Sequence, residues 1–198
     1  MKRGKLSDRF KRMTDIGLSG SIMLLVSPLL LIIALGIKIT SKGRVIYKQE
    51  RLGKDKTPFI MYKFRTMIPE AENQGARLAL PNDPRVTSFG KILRKYHLDE
   101  LTQLWNVLKG DMSLIGPRPE REIYVQEIEK LLPEYISIFN IKPGISSLGM
   151  IKYGYASDLN QMVERAKIDL EYLDNRNLSG DIKIFFNTFK AIFKGQGI

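Results

Sequence analysis

Asp99 and Glu100 stand side by side in the segment HLDELTQLW, and four cations, Lys63, Arg65, Arg94 and Arg118, are the side chains best suited to serve them. Adjacent helical positions lie ~100° apart and do not face each other, so the acids are not a dyad sharing one proton. At a first helical turn both would sit beside unpaired N–H groups and the positive end of the helix dipole, which favours their ionised forms. An anionic Asp held there can attack phosphorus, and its neighbour can hold a hard divalent cation such as Mg²⁺. The same spacing also suits a plain N-cap at Asp99 followed by an acid in a favourable first turn, and spacing alone does not choose. Lys63 and Arg65 point the same way if residues 57–67 form a strand, ~6.6 Å apart, a separation that suits a phosphate and equally a solvated strand face. Arg118 lies between Pro117 and Pro119, which leave its backbone little freedom. Together the four cations and a Mg²⁺ on a carboxylate would neutralise a phosphate, which phosphoryl chemistry needs more than covalent help. His97 is the single imidazole, either the one candidate histidine base or an ordinary surface residue.

Several chemistries are excluded. The 198 residues contain no cysteine and one histidine, so disulfides, zinc fingers, iron–sulfur clusters and thiol nucleophiles are absent. No G-x-S-x-G, no G-x-G-x-x-G and no Walker P-loop occurs, which removes the common hydrolase and nucleotide-fold signatures.

The elements that must position these residues form a mixed α/β (α+β), mostly helical fold. RVIYKQ (44–49) and TPFIMYKFRTM (57–67) read as a hairpin joined around Gly53-Lys54-Asp55-Lys56. Residues 69–90 are rich in Pro, Gly, Asn and Asp and read as a long loop, followed by helical periodicity from Lys91. Leu101, Leu104, Trp105 and Leu108 share a helix face that ends at Lys109-Gly110. Further helices are expected at 120–131, at 157–174 with Ser157 as N-cap, and at 182–194, where a Phe-rich face opposes three lysines. That last helix would lie on a membrane surface or pack on the core.

Composition points to a membrane. Ile16 to Ile37 is 22 residues without a charge, long enough as a helix to reach across a ~30 Å hydrocarbon core. Residues 1–14 carry six cations against one acid, residues 38–56 carry seven against two, and the chain beyond residue 70 is nearly balanced. A nucleic-acid footprint spreads over a folded face; this excess brackets the apolar segment, so nucleic acid is not an expected partner. A single crossing would strand one basic cluster on the wrong side. Ser27-Pro28 at the midpoint, with Pro28 lacking an N–H for the Leu24 carbonyl, should break or bend the helix so that both flanks stay on one face. The expected organisation is a basic N-terminus with a re-entrant membrane helix (1–39), the alternative being an ordinary anchor helix with a proline kink, and a catalytic domain (40–198).

The stretch HLDELTQLWNVLKGDMSLIGPRPE (97–120) closely resembles the signature of the bacterial sugar transferases, the monotopic polyprenol-phosphate phosphoglycosyl transferases. YKFRTM (62–67), KILRKYHLDEL (91–101), the Ser-Pro in an apolar N-terminal segment and KPGI (142–145) match as well, and the chain resembles the minimal catalytic form. The resemblance implies transfer of a sugar-1-phosphate from a nucleotide-sugar, usually a UDP-sugar, to polyprenyl phosphate at the bacterial inner membrane, with the catalytic domain facing the cytoplasm. It implies Asp99 as the nucleophile of a covalent phosphosugar intermediate, Glu100 in the Mg²⁺ site, Lys63, Arg94 and Arg118 on phosphates, and Ser27-Pro28 at the membrane bend. The product would start a capsule, exopolysaccharide or O-antigen repeat. Two departures stand out. Thr102 replaces a proline, and KPGISSLGMIKYGYAS (142–157) has Gly154 where an arginine is expected, with Lys152 as the nearest compensating cation. That altered segment is the one support for the alternative, a non-catalytic membrane-surface scaffold of an assembly complex.

Overall fold

The structure, a computed structural model, describes residues 8–195 apart from 73, 74, 76, 79 and 81. Lys2, Arg3 and Lys5 of the basic N-terminus and Pro81 of the long loop lie outside the described residues.

Helix α1 (Asp8–Thr40) runs through Pro28 without interruption, so the break expected at the proline is absent from the helical backbone. The Leu24 carbonyl, which a proline four residues on cannot serve, accepts from Ser27 Oγ at 2.8 Å. By length and composition α1 can cross a membrane. One stripe of it is buried: Lys11, Asp15 and Ser19 in its first half, Ile33 and Ile37 in its second. Ile22, Met23 and Val26 pack on the core made by Leu104, Val107, Leu114 and Ile184, while Leu30, Ile33, Ala34 and Ile37 pack with Phe64 and Leu93. Leu24, Leu25, Leu31, Ile32 and Leu35 stay exposed. Both halves of one apolar helix thus rest on the same body, each giving it a strip and leaving a larger apolar face bare.

Strands β1 (Ile46–Leu52) and β2 (Pro58–Phe64) form the expected antiparallel hairpin, with Tyr47 opposite Lys63 and Leu52 opposite Pro58. The pairing ends at Phe64. Arg65 N–H donates to Val45 beyond the ladder, and Met67 bridges to Val86, so the strand expected to Met67 stops three residues early. Helix α2 (Ser88–Lys95) follows, capped by Thr87, whose side chain accepts from Gly90 N.

The chain then makes a 3-10 turn (Leu98–Glu100) before α3 (Gln103–Lys109), which ends on Gly110 at φ 104°, a left-handed cap that suits a residue without Cβ. Short strands β3 (Ser113–Ile115) and β4 (Gly144–Ser146) pair in parallel, and α4 (Glu122–Leu131) lies between them in sequence. Gly116 and Gly144 let the two backbones meet: a Cβ on Gly116 would fall 2.5 Å from the Lys142 carbonyl oxygen.

The 3-10 segment Pro133–Asn140 and the short α5 (Leu148–Lys152) fall between the helices expected from the sequence. Helix α6 (Leu159–Asp174) is capped by Asp158, which accepts from Gln161 N at 2.9 Å; Ser157, the expected cap, instead bonds the Gln161 side chain. Helix α7 (Leu178–Lys194) begins four residues ahead of expectation, on an Asn177 cap. It buries Asp181 and Ile184 and exposes Ile182, Phe186, Phe189 and Phe193 on the opposite side.

Candidate functional site

His97 sits at φ 53°, a left-handed conformation that turns the chain out of α2 and into the 3-10 turn carrying Asp99 and Glu100. The acids therefore lie ahead of α3 rather than in its first turn as the spacing suggested, and burial rather than a helix dipole sets their state. Each is only 7% exposed. Both border a cavity of about 150 Å³ whose wall is rich in cations, among them Arg51, Lys63, Arg94, Arg118, Arg121 and Arg165.

Lys63 projects from β2 and donates to Glu100 Oε1 at 2.6 Å, and Arg118 Nη2 reaches the same oxygen at 3.5 Å. Burial opposes the Glu100 charge, but Lys63 and Arg118 outweigh it and hold the carboxyl well below the ordinary range. Asp99 differs. Burial is its largest influence and the Glu100 charge adds to it, while Lys63 and Arg94 pull the other way, leaving the carboxyl raised above its ordinary value. Lys63 itself is lowered by burial against the attraction of Glu100. The molecule thus keeps Glu100 as a paired anion and leaves Asp99 short of compensation, a basic, poorly solvated carboxylate when it ionises.

Arg118 is fixed as its flanking prolines suggested. Pro117 O accepts from Gly144 N at 2.9 Å, Pro119 O accepts from Arg51 Nη1 at 3.0 Å, and Arg118 N–H itself donates to Asp169 Oδ2 at 3.1 Å. Its guanidinium lies 5.7 Å from the ring centre of Tyr155, which stacks on His97. Arg94 borders the cavity and donates through Nε to Thr66 Oγ1 at 2.8 Å.

Lys63, Arg94, Arg118, Asp99 and Glu100 are therefore gathered in one cavity. Arg65 is not among them. Beyond the end of β2 its guanidinium turns to the C-terminus of α1, where Nη2 donates to the Ser41 carbonyl at 3.0 Å and to its hydroxyl at 2.8 Å. Ser27 and Pro28 lie on α1, apart from the cavity lining. Thr102, in the place of the expected proline, donates its hydroxyl to Tyr62 O at 2.9 Å and so ties the turn to β2. Lys152 pairs with Glu171 at 3.1 Å on the surface and does not join the cation wall.

Glu120, Arg51, Arg165 and Tyr155 line the cavity and escaped the sequence reading. Glu120 accepts from Arg51 Nη1 at 2.9 Å and from Arg165 Nη2 at 2.7 Å. Arg51 could have been found, since alternation along β1 puts it on the face of Tyr47, the register partner of Lys63. Arg165 and Tyr155 carry no local signal.

A second cavity, about 260 Å³ and mostly apolar, adjoins the first; Glu100, Arg118 and Tyr155 border both. Among the described residues no group of three or more His, Asp or Glu is arranged for a metal. Two neighbouring carboxylates do match Mg²⁺, which takes one or two protein carboxylates and completes its shell with water and substrate phosphates.

A cation-walled cavity that buries two acids is set on a body with a long, largely bare apolar helix. Residues 6–195 match the family model described as bacterial sugar transferase, and the chain belongs to that family. It is 42% identical over 187 residues to UDP-N-acetylgalactosamine-undecaprenyl-phosphate N-acetylgalactosaminephosphotransferase of Aeromonas hydrophila, covering 94% of this chain and 44% of that protein. It is also 42% identical to UDP-glucose:undecaprenyl-phosphate glucose-1-phosphate transferase of Klebsiella pneumoniae, covering 94% and 40%. The match to exopolysaccharide production protein PSS of Rhizobium leguminosarum bv. phaseoli is 37% identical and covers 94% of this chain and 97% of that one. Against the first two, the chain spans about two fifths of the relative's length.

Proposed function

We propose that this protein transfers a sugar-1-phosphate from a UDP-sugar to undecaprenyl phosphate through a covalent intermediate on Asp99. The observation that carries the reading is the geometry of the acid pair: Glu100 is ion-paired to Lys63 at 2.6 Å and to Arg118 at 3.5 Å, while Asp99, buried in the same cation-walled cavity, makes no ion pair among the described residues. The names of the relatives, UDP-sugar and undecaprenyl-phosphate transferases, support the substrate classes.

In the first step an Asp99 carboxylate oxygen attacks the phosphorus that bears the sugar. The bond from that phosphorus to the bridging oxygen breaks, and UMP leaves with the electron pair. In the second step a phosphate oxygen of the lipid attacks the same phosphorus, the bond to Asp99 breaks, and the carboxylate is regenerated with the diphosphate-linked lipid-sugar as product. Arg94 and Arg118 hold donor phosphates, and Lys63 keeps Glu100 ionised. A Mg²⁺ held by Glu100, with Asp99 beside it, would neutralise diphosphate charge and assist departure of UMP.

With a bend at Pro28 inside its unbroken helical backbone, α1 would enter one leaflet and return its flanks to the same face. Both its halves packing on one body, and the cations at each end, support this re-entrant reading over a crossing. Basic flanks are retained on the cytoplasmic side, which supports a catalytic body facing the cytoplasm at the bacterial inner membrane. Donor, lipid acceptor and membrane lipids are the partners; the product would initiate a capsule, exopolysaccharide or O-antigen repeat.

Purified protein with Mg²⁺ and a UDP-sugar panel, without acceptor, should release one UMP per enzyme and gain the mass of one phosphosugar, located at Asp99 by peptide mapping. Release of no UMP from any donor would leave the scaffold reading in its place.

A further inference from the structure

The apolar cavity has an inner end and a mouth of different character. Its walls come from α1 at Ile22, α3 at Leu104, α5 at Ile151, and α7 at Phe185, Phe189 and Ile192. Its inner end is formed by Glu100, Arg118 and Tyr155, the residues that also border the cation-walled cavity. His97 borders it too, and its buried Nδ1 has no hydrogen-bond partner among the described residues. Toward the outside, Phe189 continues the exposed face of Ile182, Phe186 and Phe193 along α7. A ligand matching this space has an apolar chain that leaves along a bare apolar helix face and an anionic head that stops beside a guanidinium.

We propose that this cavity is the acceptor subsite: it takes the first isoprenoid units of the polyprenyl phosphate, with the lipid phosphate at the junction of the two cavities beside Arg118 and His97. The assignment rests on the transferase reading above and adds where the second substrate enters. Donor and acceptor then approach Asp99 from different cavities, the donor along the cation wall and the lipid from the side of α5 and α7. In-line displacement at each step puts both the leaving UMP and the incoming lipid phosphate opposite the Asp99–phosphorus bond, so the lipid phosphate enters the junction from the apolar side once UMP has left along the cation wall, and α7 becomes the wall that separates the acceptor from bulk water. An ordinary phospholipid fits less well. It carries two ester-linked acyl chains on a glycerol, whereas a polyprenyl phosphate joins one apolar chain to one anion, the same pairing of an apolar wall with Arg118 that lines this cavity.

The test uses the full chain in phospholipid nanodiscs. A diazirine-bearing polyprenyl phosphate should label peptides containing 148–153 and 185–192, and undecaprenyl phosphate, not excess phosphatidylglycerol, should displace it. Ala191→Trp, which fills the cavity from α7, should raise the KM for undecaprenyl phosphate by about tenfold or more, while the UMP burst without acceptor keeps its size and rate. Labelling confined to the bare face of α1, equal displacement by phosphatidylglycerol, or an unchanged acceptor KM would overturn the subsite. Absence of a wild-type UMP burst strikes the transferase reading instead, and the labelling result stands apart from it because it needs no turnover. Should Ala191→Trp fail to fold, the wild-type labelling pattern decides.

Discussion

Glu100 and Glu120 lie on either side of Arg118, one 3.5 Å from its Nη2 and the other 3.9 Å from its Nε, and both are buried. Their surroundings differ in what the cations connect. Around Glu120 the partners are Arg51 of β1 and Arg165 of α6, so one carboxylate clasps the hairpin, the Pro-Arg-Pro loop and a helix from the C-terminal half. Around Glu100 the partners are Lys63 and Arg118, and a second acid, Asp99, stands beside it with only a share in the same charges. Saturating a buried carboxylate with arginines joins elements that are far apart in sequence; leaving a neighbouring carboxylate short of cations stores reactivity at a point the clasp holds still. A buried ion pair is weak evidence for net stability, yet removing one member leaves the others buried and uncompensated.

Breaking the reactive side should have the largest effect. Asp99→Asn keeps the shape and removes the nucleophile, so steady-state UMP release at saturating donor should fall by about 10⁴-fold or more. The melting temperature should hold or rise, because a carboxylate disfavoured by burial is gone. An Asn variant keeping a tenth of the wild-type rate would end the nucleophile assignment.

Glu120→Gln breaks the other side. It strands Arg51 and Arg165 without a counter-charge, and the cost should be about 3–5 kcal/mol in urea unfolding. Activity per folded molecule should change far less than in the Asp99 variant. Glu100→Gln sharpens the contrast by making the identical change across Arg118: kcat should drop about 10²–10³-fold, with a smaller stability loss than Glu120→Gln, since Asp99 is placed to take over the charge of Lys63. Equal stability losses from the two glutamines would show that both acids are structural clasps.

How much of this was legible in the sequence follows from the range over which each feature is decided. The hairpin, the glycine end of α3 and the stiffness of Arg118 depend on neighbours within a few residues, and all are present. The fate of Arg65 is not local in that sense. Alternation puts it beside Lys63 only while the ladder continues, and β2 stops at Phe64 because the chain must turn to reach α1 and the Met67–Val86 bridge. Ser157 and Asp158 are both competent caps, and the choice falls to the residue whose side chain meets Gln161 N. Lys63, Arg94, Arg118 and the acid pair could be named from residue type, but the difference between Asp99 and Glu100 could not, because it arises from which of them faces Lys63 and Arg118 across 37 and 18 positions of chain. The Glu120 clasp is harder still: residues 51, 120 and 165 share no period and meet only through tertiary topology.

Asp169 offers the finest test, since it supports Arg118 without itself lining the cavity. Its Oδ2 accepts from Arg118 N–H at 3.1 Å and its Oδ1 from Gly149 N–H at 2.8 Å, which joins α6 to the Pro-Arg-Pro loop and to the start of α5. Burial raises its carboxyl from 3.8 to about 6, and the two N–H donors only partly offset this. With the folded value above the unfolded one, the folded state binds the proton more tightly. That contribution to stability is full below pH 3.8 and is lost as pH rises through about 6. Asp169→Asn removes the titration and presents an amide NH₂ to one of two N–H donors, so it should cost about 1–3 kcal/mol. The stability gap between wild type and variant should narrow from pH 4 to pH 7. A gap independent of pH would mean that Asp169 keeps an ordinary carboxylate pKa and positions Arg118 by hydrogen bonding alone. Because Arg118 is oriented from its backbone, the variant should also raise the donor KM more than it lowers kcat, a split that Glu100→Gln should show in reverse.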